Sequence, residues 1–120
     1  MILFDTDVCL SLLAGNKKIL QQFGGLMEEV CVPSACVPEL FFAAERSGNP
    51  EQNRQVVEKF LATVRVIQPD VETCRYMARL QNNLVRRGTT VPQTDLLVYC
   101  LSKVYAARLV TVHAGRYRFT

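Results

Sequence analysis

Histidine occurs once in the 120 residues, at His113, and the five cysteines (Cys9, Cys31, Cys36, Cys74 and Cys100) form no CxxC pair. So few ligands argue against a zinc site, and an odd cysteine count argues against a disulfide framework. Small buried thiols are the expectation. No apolar run approaches the roughly 18 residues of a membrane-spanning helix, and the N-terminal run breaks at Asp5, too early for a signal peptide. A cytoplasmic protein that does not engage membranes is expected. Acids are also few: eleven Asp and Glu stand against fourteen Lys and Arg, and the net charge of +3 permits a polyanionic partner. Repeats, low-complexity segments and linkers are missing, so residues 1–120 read as a single domain.

What is present is hydrophobic, 49% of the chain, which implies elements buried on both sides or a surface covered by a partner. Residues 1–4, 30–33, 64–67 and 109–112 read as strands, with "RYRFT" at 116–120 as a frayed fifth. Between them lie helical stretches. A short one includes Val8 to Leu13, and a second, capped by Asn16, runs to about Met27. A third, capped by Ser34, runs to Arg46, and a fourth is opened by Asn49 and Pro50. A fifth, opened by Asp70, runs to about Arg86 with Val71, Cys74, Met77, Ala78 and Leu84 inward. The stretch Asp95 to Ala107 is apolar almost all round and belongs in the core. Strands separated by helices imply an α/β fold of three α/β/α layers around a parallel sheet of four to five strands.

With so few acids, each can be asked what it does. Glu28, Glu29, Glu45, Glu51, Glu58, Asp70 and Glu72 all suit solvated faces, first helical turns or caps. Asp5, Asp7, Glu39 and Asp95 remain. Asp5 closes the first strand, Glu39 follows the second inside "VPELFFAA", and Asp95 opens the most hydrophobic helix. In a parallel sheet these positions share the carboxyl edge, where such folds bind ligands. Helix-dipole capping explains any one of them at about 0.3–1 kcal/mol. Three acids gathered at one edge repel one another, a penalty that a divalent cation such as Mg²⁺ or Mn²⁺ removes.

"ILFDTDV" alone is compatible with two families. A haloacid-dehalogenase-like phosphatase would need a further pair of acids late in the chain, and after Glu72 only Asp95 occurs. "MILFDTDVCLSLLAG", "VPSACVPELFFAAERSGNPEQNRQVVEKFL" and "VPQTDLLVYCLSKVYAARLVT" together resemble the PIN-domain ribonucleases, most closely the VapC-type toxins of toxin–antitoxin pairs. The resemblance covers essentially the whole chain. It implies a metal-dependent endoribonuclease in which Asp5, Glu39 and Asp95 bind Mg²⁺ or Mn²⁺ and carry catalysis. It also implies an RNA substrate, a cognate antitoxin and a homodimer. Thr6, Asp7, Thr94 and Thr111 then support those acids by hydrogen bonding or capping. His113 stands where the family commonly has a fourth acid or Asn, as a supporting group or a ligand. That departure leaves a catalytically weakened module, binding RNA or a protein, as the alternative. Without the three acids, fourteen basic residues face eight acidic ones, so the rim can attract phosphates through Lys17, Lys18, Arg86, Arg87, Arg116 and Arg118.

Overall fold

The computed structural model describes residues 1–113 and 115–119. Four short strands, β1 (Ile2–Phe4), β2 (Val30–Pro33), β3 (Arg65–Ile67) and β4 (Arg108–Val110), form one sheet in the order β3-β2-β1-β4. All pairings are parallel, with Ile2 opposite Val30 and Arg108, and Val32 opposite Val66. β1 and β2 are buried at every position because helices cover both faces of the sheet. Leu3 and Phe4 are fully buried, and Phe4 meets Phe23 edge to face at 5.3 Å between ring centroids. Each such side chain contributes about 1.5–3 kcal/mol by leaving water.

Six α-helices connect the strands: α1 (Thr6–Leu13), α2 (Lys17–Phe23), α3 (Val37–Glu45), α4 (Pro50–Thr63), α5 (Val71–Arg86) and α6 (Gln93–Val104). The chain lays β1, β2 and β3 in one direction and then crosses back to place β4 on the other side of β1. The reversal puts a crevice beyond the carboxyl ends of β1 and β4, where open α/β sheets place ligands. α6 precedes a parallel strand, so its N-terminus lies at this same edge.

Several expected boundaries shift for local reasons. The second helix stops at Phe23, because Gly24 and Gly25 weaken helix by about 1 kcal/mol each, and residues Gly24–Glu29 tighten into 3-10 geometry. The third begins at Val37 after a 3-10 turn over Ser34–Cys36. A helix begun at Ser34 would put Pro38 where its missing N–H is needed. The last begins at Gln93 and ends at Val104, with Leu96, Val98, Cys100 and Leu101 in the core as its composition requires.

Two expectations are corrected. α5 turns Thr73, Met77, Leu80 and Leu84 inward, whereas Val71 is 72% exposed and Cys74 and Ala78 face water. Asp70 sets this phase by accepting from the Thr73 backbone N–H (2.8 Å) and hydroxyl (2.7 Å). Cys74 is therefore an exception among thiols that are otherwise buried. The fifth strand does not form among the described residues, and Thr120 lies outside them. Of its residues, Arg116 and Tyr117 line the crevice described next, and Phe119 is buried against Leu84 and Leu96.

Candidate active site

Asp5 is the residue at which β1 becomes α1. Its extended backbone makes it the N-cap, and its Oδ1 accepts the Val8 backbone N–H at 2.9 Å. Oδ2 accepts the Tyr117 hydroxyl at 3.0 Å. With both oxygens engaged and 1% of its surface exposed, Asp5 forms a buried floor next to the crevice, outside its lining.

An open pocket of about 300 Å³ lies above this floor, lined by Thr6, Asp7, Glu39, Pro92, Thr94, Asp95, Val98, Arg116 and Tyr117. Glu39 enters from the first turn of α3 and is exposed, and Asp95 enters, half-buried, from the first turn of α6. Burial raises the Asp95 carboxyl from its ordinary value. Arg116 pulls it back, while the charges of Asp5 and Asp7 push it further up. Asp7, Glu39 and Asp95 thus line one pocket, and Asp5 lies near enough for its charge to act on Asp95.

Asp7 has its own partners. Its Oδ2 accepts from Arg116 Nη1 and lies 3.2 Å from His113 Nε2. His113 therefore reaches the site through Asp7, and the Thr111 Oγ1 accepts the His113 backbone N–H at 3.1 Å. Thr6 is buried beside Asp5, and Thr94 is half-buried one residue before Asp95.

The basic candidates divide. Lys17 and Lys18 start α2, one length of α1 (about 12 Å) away from the acidic edge. Arg86 and Arg87 end α5 and border an open hollow with Phe119, whose carbonyl accepts from Arg87 Nη2 at 2.8 Å. Arg118 is exposed, and Arg116 points into the pocket.

Tyr117 escapes sequence reasoning because "RYRFT" reads as a strand. The available signal was a buried carboxylate needing a second donor, with aromatic residues following β4. Burial, then the Asp5 carboxylate, raises the Tyr117 hydroxyl, so it remains a donor.

As to a metal, no three His, Cys, Asp or Glu side chains among the described residues stand together as a ready-made ion site. The donor chemistry nevertheless fits a hard divalent cation. The pocket supplies carboxylate and hydroxyl oxygens, and its negative charge is offset by one guanidinium. The nearby thiols are unsuited as ligands. Burial, together with Glu39 and Asp5, pushes Cys36 up to about 11, and burial also raises Cys9.

The PIN domain family matches residues 2–114. The chain belongs to the PIN-domain family. Among curated relatives, the tRNA(fMet)-specific endonuclease VapC of Salmonella typhimurium is 28% identical over 97 residues, 80% of this chain and 74% of that protein. Ribonuclease VapC2 of Haemophilus influenzae is 25% identical over 95 residues, 78% of this PIN domain and 72% of that protein. The fold superposes on VapBC-1 from nontypeable Haemophilus influenzae with a TM-score of 0.83 at 24% identity, covering 99% of this chain and 92% of that one. DNA-bound VapBC from Salmonella typhimurium gives a TM-score of 0.80 at 26% identity, covering 92% and 85%.

Proposed function

We propose that this PIN domain is a metal-dependent endoribonuclease that acts as the toxin of a toxin–antitoxin pair. The observation that carries the proposal is the cluster of Asp5, Asp7, Glu39 and Asp95 at the crevice between β1 and β4, in a chain whose relatives are named as VapC ribonucleases. Asp5, Glu39 and Asp95 are the residues that would hold Mg²⁺ or Mn²⁺. When bound, such an ion activates a water and offsets charge on the phosphodiester.

The chain's own groups do the rest. Asp95, lining the pocket from the first turn of α6, is placed to take the attacking water's proton. Asp5, fixed at both oxygens, cannot swing away, and Glu39, on an exposed helix turn, can adjust to the substrate. In-line attack then leaves 5′-phosphate and 3′-hydroxyl ends. An antitoxin is the expected protein partner, because the structural relatives are VapBC complexes. An apolar groove between α1, α3 and α4, lined by Leu10, Leu13, Ala43 and Val56, is a seat for it. Phe42, 65% exposed, and Tyr76, 38% exposed, support a homodimer.

The test is RNA cleavage by the purified protein with Mg²⁺ or Mn²⁺, starting with the tRNA(fMet) named for the Salmonella relative. Cutting should stop on chelation, and Asp95→Asn should abolish it with an unchanged melting temperature. RNA that is bound but left intact in both metals would establish the alternative, a weakened binding module, which His113 in place of the acid or Asn implied by the resemblance favours.

A further inference from the structure

The segment after β4 crosses the acidic pocket and is fastened on both sides of Arg116. Tyr117 donates to Asp5, and Phe119 is buried against Leu84 and Leu96, with its ring 4.8 Å from that of Tyr99. Arg87 holds the Phe119 carbonyl, and the Arg116 backbone N–H donates to the His113 carbonyl at 3.0 Å. The Arg116 side chain, 29% exposed, is thereby directed into a pocket otherwise lined by carboxylates and hydroxyls. Burial alone would disfavour its charge, but the hydrogen bond to Asp7 and the charges of Asp7 and Asp95 more than restore it.

A guanidinium carries five N–H donors in a planar fork. Among the described residues its hydrogen-bond partner is Asp7, through Nη1. Several donors remain for a ligand, and the group that matches the fork two at a time is a phosphate or a carboxylate. A further carboxylate would be repelled by Asp7, Glu39 and Asp95, whereas a phosphodiester entering with a divalent ion is not. The fastening also argues against a hinged plug, since moving Arg116 out would break the contacts of Tyr117 or Phe119.

We propose that Arg116 grips the scissile or adjacent phosphodiester of the RNA beside the carboxylates, and that Asp7 is the positioning residue that orients its guanidinium. The inference rests on the ribonuclease reading and adds to it the group that binds the substrate's phosphate. Arg116 then supplies a fixed positive charge where negative charge develops, as preorganised donors do at other phosphoryl-transfer sites.

The test begins with Ca²⁺ as the divalent ion and a gel check that the RNA stays intact; a fluorescent single-stranded RNA oligonucleotide is titrated by anisotropy between 50 and 200 mM salt, about the range over which phosphate contacts are resolved. Wild type, Arg116→Lys, Arg116→Ala and Asp7→Asn are compared, with melting curves for each. Loss of one phosphate contact should flatten the salt slope of Arg116→Ala by about 0.7 and weaken binding about tenfold. Arg116→Lys should keep the slope, because its charge is kept, and in Mg²⁺ or Mn²⁺ should lose kcat more than KM, because the fork is gone. Asp7→Asn should keep the slope and weaken binding a few-fold. If Arg116→Ala does not fold, the Arg116→Lys separation of slope from kcat decides.

An unchanged slope in Arg116→Ala, or tighter binding, overturns the inference, the second outcome meaning that Arg116 plugs the pocket. Wild-type protein that neither binds nor cuts RNA would instead overturn the ribonuclease reading and this inference with it.

Discussion

Replacing Asp5 separates chemistry from stability, because its two oxygens make two identifiable contacts. Asp5→Ala removes the α1 cap, a loss of about 1 kcal/mol. It also leaves the Tyr117 hydroxyl without its acceptor, about 1 kcal/mol more. Lower repulsion on Asp95 returns a few tenths at most, so the expected cost is about 2 kcal/mol. At about 2.1 cal/mol/K of unfolding entropy per residue, a chain of this length shifts by roughly 4 °C per kcal/mol, so Tm should fall by about 8 °C.

Asp5→Asn keeps the Oδ1 acceptor for Val8, and Asn caps helices as well as Asp. The Tyr117 hydroxyl can rotate to accept from the new amide, so Tm should move by no more than about 2 °C. Both variants should lose RNA cleavage. Differential scanning calorimetry beside a cleavage assay measures both effects. A double-mutant cycle with Tyr117→Phe should show a coupling of about 1 kcal/mol. Equal destabilisation by Asn and Ala, or a coupling indistinguishable from zero, would refute the assignment of the two oxygens.

Two further outcomes follow from contacts away from the pocket. The Thr73 hydroxyl and backbone N–H lower the Asp70 carboxyl below its ordinary 3.8, so its contribution to stability is present above that value and lost as pH falls through the folded pKa. Melting curves between pH 2 and 6 should therefore show a steeper acid limb for wild type than for Asp70→Asn, and parallel limbs would sink the account. Phe42→Asp should change monomer stability by less than about 0.5 kcal/mol, since Phe42 is 65% exposed, while halving the mass seen by light scattering if that face closes a homodimer. A dimer that survives the change would place the interface elsewhere.

The sheet was legible because parallel strands buried on both faces read as uninterrupted apolar runs, and "ILF" and "VCVP" can hardly be anything else. Asp5, Glu39 and Asp95 stood out because acids in apolar surroundings need a reason, and the strand order brings those positions to one edge. Local pattern failed where tertiary contact decides. The inward phase of α5 depends on which stripe meets α6, and periodicity favoured Val71 and Cys74 over Thr73 because a threonine pinned to its own cap looks polar on paper. The tail departs from its local pattern for the same reason. "RYRF" alternates like a strand, yet each of its aromatic residues finds a buried partner far away in sequence: Tyr117 on Asp5 and Phe119 beneath α5 and α6.

That distant pairing explains how the fold tolerates a buried carboxylate. An unpartnered charge beneath a sheet edge would cost several kcal/mol, but the N-terminus of α1 satisfies one oxygen of Asp5 and the chain's last turn satisfies the other. Among the described residues no buried side-chain nitrogen or oxygen lacks a partner. The floor of the pocket is therefore complete within the protein itself, whereas the wall is left in excess of negative charge, with Asp95 raised and Glu39 turned toward solvent. Asp5 carries both loads in the proposed site: the α1 cap and Tyr117 fix it in the frame, and with Glu39 and Asp95 it would hold the ion, beside the Asp7–Arg116 couple proposed to meet the phosphate.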